Sequence, residues 1–100
     1  MEIIVIYWRD IPAQVMVRKG RGKGKALLSP RFQEAIDRAA MRARRRSSDA
    51  YMSEWNRVRS SCENALDLQA VAEAQARDIE AAYTEERLSR LIKNHGRAES

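Results

Sequence analysis

One hundred residues, 44% of them apolar, with a net charge of +5, are enough for one small domain with a modest core. No apolar run approaches the roughly 18 residues that span a bilayer, and Met1-Glu2-Ile3 lacks the start of a signal peptide, so a cytoplasmic location without a membrane partner is expected. Cys62 is the only cysteine, which excludes an internal disulfide and a cysteine metal cluster within one chain.

The charge is unevenly placed. Up to Ser60 there are 14 basic and 6 acidic residues (+8), and from Ser61 onward 5 basic and 8 acidic (−3). Such polarity steers an anionic partner or draws the two halves of the fold together.

In chain order, Ile3 to Ile6 are β-branched and run into Tyr7 and Trp8, which reads as a strand. Asp10-Ile11-Pro12 hinges it to a second run, Ala13 to Arg18, that must return antiparallel. Ile3, Val5 and Tyr7 share one face, while Ile4, Ile6 and Trp8 share the other, so both faces need cover. Residues 18–28, with three glycines among lysines and arginines, read as a basic loop.

Ser29-Pro30 marks a helix start, followed by Phe32, Ala35, Ile36, Ala39, Ala40 and Ala43 at helical spacing. Residues 50–58 fit either a helix or a strand. A strand is preferred, because a lone two-stranded hairpin is marginal in water. Asn64, with Asp67 three positions on, suggests the cap of a long helix through Tyr83. Leu88, Leu91 and Ile92 fall out of its register, and Thr84 can cap a short last helix to about Asn94. The expectation is therefore an α+β domain over residues 1–95: a small antiparallel sheet, order β-β-α-β-α with a short C-terminal helix, helices on one face, and a frayed tail over 96–100.

Tyr7-Trp8-Arg9-Asp10-Ile11-Pro12-Ala13-Gln14-Val15, with Phe32 to Asp37 and Asp49-Ala50-Tyr51 through Trp55, carries a family resemblance. Over most of residues 2–92 the chain resembles the small bacterial virulence factor domain, which also occurs inside the larger conserved virulence factor C. The resemblance brings no catalytic residue with it. It implies an accessory role beside proteins of folate-linked methyl transfer.

The residues themselves suggest two binding sites. Tyr7, Trp8, Arg9, Asp10, Pro12 and Gln14 would present an interface to another protein chain or to a second copy, since Trp and Arg anchor interfaces and a hairpin is a rigid support. The plainer use of Tyr7 and Trp8 is to fill the two faces of the sheet. Arg18, Lys19, Arg21, Lys23 and Lys25, with Arg44, Arg45 and Arg46, would contact a phosphate backbone such as that of nucleic acid without reading bases. This is not a Walker loop, because neither Ser nor Thr follows Lys25.

No catalytic set stands out, and a non-enzymatic role is expected. A Cys62–His95 dyad would need the chain end folded back with a third residue to orient the imidazole. Glu80, Glu85 and Glu86 read as solvated helix faces. No spacing of His, Cys or carboxylates suggests a metal, and no cofactor is implied.

Overall fold

The computed structural model describes residues 1–44, 47–63 and 66–98. Four antiparallel strands and four helices follow in the order β1 (Glu2–Trp8), β2 (Ile11–Lys19), β3 (Gly22–Leu27), α1 (Pro30–Arg42), α2 (Ser48–Met52), β4 (Trp55–Ser61), α3 (Leu68–Ala82) and α4 (Glu85–Lys93). The sheet order is β3-β2-β1-β4, so the apolar first strand is central and the two polar strands form the edges. The α+β architecture expected from the sequence is the one observed.

Strand register decides which residues share a face. Ile3 pairs with Val17 and Ser60, and Val5 with Val15 and Val58. Val17 and Val15 in turn pair with Gly24 and Ala26 on β3. This face carries the helices: α3 lies over β2 and β3, and α1 packs on α4 and β2. Ile3, Val15, Val17, Phe32, Ala35, Ile36, Ala39, Ala72, Leu88 and Leu91 form the core between the layers. The alanine stripe of α1 permits close approach to its neighbours.

The opposite face stays outside that core. Ile4 pairs with Met16 and Arg59, and Ile6 with Gln14 and Arg57. Neither Ile4, Ile6 nor Met16 packs into the helix-side cluster. Ile4 is nonetheless fully buried, on the middle strand pair of the sheet with Met16 and Arg59 as its ladder neighbours. Arg18, Lys23 and Lys25 share this outer face through the pairs Arg18–Lys23 and Met16–Lys25.

Residues 22–27 correct the loop reading of 18–28. They pair with β2 from Gln14–Leu27 to Lys19–Gly22, leaving only Gly20 and Arg21 as the hairpin turn, with Gly20 at φ +58°. The glycines serve close packing. A Cβ on Gly22 would stand 2.8 Å from Leu68 Cδ1, and one on Gly24 would run into the Leu68 backbone at the start of α3. Gly22 and Gly24 therefore face the helix while Lys23 and Lys25 face out, a period of two written over these four residues in glycine and lysine alone.

Four boundaries also move. The first turn is Arg9-Asp10, and Ile11 and Pro12 already belong to β2, where the pairing skips Ala13. The strand expected at 50–58 begins at Trp55 and runs to Ser61, preceded by the short α2 capped by the Ser47 side chain, which accepts from Ala50 N–H at 3.3 Å. The Asn64 cap lies outside the described residues. Helix α3 starts at Leu68, with Asp67 accepting from Ala70 N–H at 3.0 Å. The tail is not frayed over 96–98: Gly96 O accepts from Asp10 N–H at 2.8 Å, and Ala98 N–H donates to Asp10 Oδ2 at 2.6 Å. The break at Thr84 stands as expected, its hydroxyl accepting from Arg87 N–H at 3.1 Å.

Candidate functional site

Because α3 covers β2 and β3, the β1–β4 half of the helix-side face is left to α4 and the C-terminal segment. A cleft of about 530 Å³ opens there. Tyr7, Asn56 and Val58 form its floor, and Arg9, Asp10, Tyr83, Arg87, Arg90, Leu91, Arg97 and Ala98 complete its walls. Four guanidinium groups thus converge beside two tyrosines.

Each arginine is positioned differently. Arg9 occupies the turn at φ +53°, a left-handed conformation, and its side chain is only 8% exposed. It donates to His95 O at 2.9 Å and to Glu54 Oε1 at 3.2 Å, while its buried Nε meets no acceptor among the described residues. Arg97 approaches the other Glu54 oxygen at 3.6 Å. Arg87 stacks over Tyr83, its Cζ 3.9 Å from the ring centroid, and donates to Ala82 O at 3.1 Å. Among the described residues neither Arg87 nor Arg90 has a carboxylate partner.

The acid side of the cleft is already engaged. Asp10 takes Ala98 N–H, and Asn56 Nδ2 donates to Arg9 O at 3.1 Å. Burial pushes the Tyr7 phenol above its ordinary value. Tyr83 and Asp10 add to the rise and Arg87 opposes it, so Tyr7 remains a neutral donor at neutral pH. The set offers fixed positive charge and hydrogen-bond donors over a floor of Tyr7, Asn56 and Val58, which is anion-binding chemistry.

The six hairpin residues divide three ways. Tyr7, Arg9 and Asp10 enter the cleft. Trp8 and Pro12 are fully buried. Tyr51 stacks on the Trp8 ring with centroids 5.9 Å apart, and Trp8 Nε1–H donates to Tyr51 O at 2.9 Å. Gln14 pairs with Ile6 on the outer sheet face. The basic residues divide too: Arg18, Lys23 and Lys25 lie on the outer face, Lys19 and Arg21 are exposed at the hairpin end, and Arg44 sits past the end of α1. Arg45 and Arg46 lie outside the described residues.

Sequence reading missed Arg87, Arg90 and Arg97. A signal existed for two of them: Arg87 and Arg90 lie three positions apart on one side of α4, just after Tyr83 at the end of α3. Cys62 and His95 lie at opposite ends of β1, beside Met1 and Arg9 respectively. No group of three or more potential metal ligands occurs among the described residues. No described helix is long and apolar enough to cross a membrane.

A family model described as virulence factor matches residues 6–92, a span that takes in the end of β1, all of β2, β3 and β4, helices α1 to α3 and the cleft floor. The chain belongs to the virulence-factor family. No curated protein and no solved structure matches it. Within the virulence-factor match fall Tyr7, Arg9, Arg87 and Arg90, while Arg97 lies just beyond it.

Proposed function

We propose that this virulence-factor domain is a non-enzymatic accessory module that binds an acidic segment of another protein in the arginine cleft. The observation that carries the reading is the pair Arg87 and Arg90, whose charges face a cleft without a carboxylate partner among the described residues. Guanidinium groups stay protonated at any working pH, so the cleft holds charge instead of moving protons. A setting in folate-linked methyl transfer rests on the family resemblance alone.

The test is fluorescence anisotropy with a labelled hexaglutamate peptide. Arg87→Glu with Arg90→Glu should weaken binding more than tenfold, whereas Lys23→Glu with Lys25→Glu should leave it within about twofold. Equal loss in both variants would show general electrostatic attraction and sink the cleft reading.

A second reading is polyanion binding on the outer face, favoured by Arg18, Lys23, Lys25, Arg57 and Arg59 sharing that surface. A labelled single-stranded oligonucleotide is its probe. Affinity that falls steeply with salt and disappears in Lys23→Glu with Lys25→Glu would support it. The centre of this face holds Ile4, Ile6 and Met16, which offer no aromatic platform for bases.

A further inference from the structure

We infer that β4 is a docking edge for an extended acidic strand of a partner protein, added antiparallel or parallel to the sheet beside the cleft. This rests on the acidic-partner reading above and specifies how the partner is held.

The phase of the β1–β4 ladder leaves one set of backbone groups outside it. Arg9 N–H donates to Glu54 O, and Cys62 N–H donates to Met1 O. Those two bonds bracket the strand pair, so residues 56, 58 and 60 also face β1. Trp55, Arg57, Arg59 and Ser61 then direct their N–H and C=O groups to the free side. No backbone bond from Arg57 or Arg59 to any element beyond the ladder occurs among the described residues.

The other edge of the sheet is treated differently. There Lys25 N–H donates to Gln69 Oε1 at 2.9 Å, and Gln69 Nε2 donates back to Lys25 O at 2.8 Å. One side chain closes the middle of the β3 edge in the manner of a neighbouring strand, and among the described residues no side chain bonds the Arg57 or Arg59 backbone in the same way. An open edge is a template for strand addition.

Charge selects the occupant. The side chains of Arg57 and Arg59 stand exposed on the outer face of β4. A second copy of β4 paired about Val58 would set Arg57 against Arg59, and like charges directly opposite destabilise a sheet. An acidic strand meets the same two arginines with opposite charge. Its other face continues the floor formed by Asn56 and Val58, so the partner's flanking acidic residues reach Arg87 and Arg90.

The experiment uses the full chain and a capped octapeptide of alternating Thr and Glu. Amide hydrogen exchange by NMR should show the Arg57 and Arg59 amides slowed at least tenfold at saturating peptide. The same peptide N-methylated at alternate positions should leave them unchanged. Arg57→Pro removes an N–H that β1 does not use and should weaken binding at least tenfold, against about threefold or less for Arg57→Gln, which loses the charge alone. Unslowed amides, equal binding by the N-methylated peptide, or slowing by protein concentration without peptide would each overturn strand addition. Hexaglutamate binding that still depends on Arg87 and Arg90 would then leave the cleft reading standing by itself.

Discussion

Gln69 on α3 grips Lys25 on β3 through both of the lysine's backbone groups, at 2.9 and 2.8 Å. A helix side chain thereby ties the layers together and closes a strand edge at once. Gln69→Ala should cost about 1 kcal/mol in chemical denaturation, since each exposed hydrogen bond contributes little net. It should also speed exchange of the Lys25 amide, which NMR reads directly. Gln69→Glu keeps the acceptor and loses the donor, so it should protect that amide partly.

Gly24 and Gly20 differ in what they allow. Gly24→Ala places a methyl group in the Leu68 backbone and must push α3 off the sheet, at a cost of about 2–3 kcal/mol. At Gly20 nothing lies within 4 Å, so Gly20→Ala should cost only about 1 kcal/mol, from the left-handed backbone. Thermal unfolding of the two variants tests that order.

Trp8 belongs to the core. Its ring packs against Tyr51 and leaves no room for a Cβ on Gly96, which would stand 2.8 Å from Cζ3. Trp8→Phe should cost about 2 kcal/mol, by lost volume and by leaving the Tyr51 carbonyl without its donor. Hexaglutamate affinity, measured where the variant is still folded, should change by less than about threefold.

Acid should loosen the junction of α1 and α3. Glu80 is partly desolvated, which raises its pKa, but the Ser29 N–H, the Ser29 hydroxyl and Arg31 outweigh that and hold it below the usual carboxylate value. A depressed folded-state pKa contributes stability that is present above the unfolded-state value and lost as pH falls through the folded-state value. The wild type should therefore lose stability on acidification through and below the ordinary carboxylate range. Glu80→Gln should start lower at neutral pH and show a shallower acid decline; parallel curves would contradict the assignment.

Much of the fold was legible from short-range pattern. The β-branched run of β1, the Ser29-Pro30 start of α1 and the Thr84 break before α4 are signals written within a few residues of where they act. Even so, Ser29 uses its hydroxyl on Glu80 of α3 and not on its own helix. Strand β3 reads as a loop in the sequence, because its inner face is filled by the α3 backbone and its glycines look like flexibility in isolation. The cleft lay further from view. Arg9 and Arg97 are 88 positions apart and meet at one carboxylate, Glu54, on the segment between α2 and β4. Local periodicity determines which segments become helices and strands. Only the packing of α4 and the tail against the uncovered half of the sheet decides which arginines share a site.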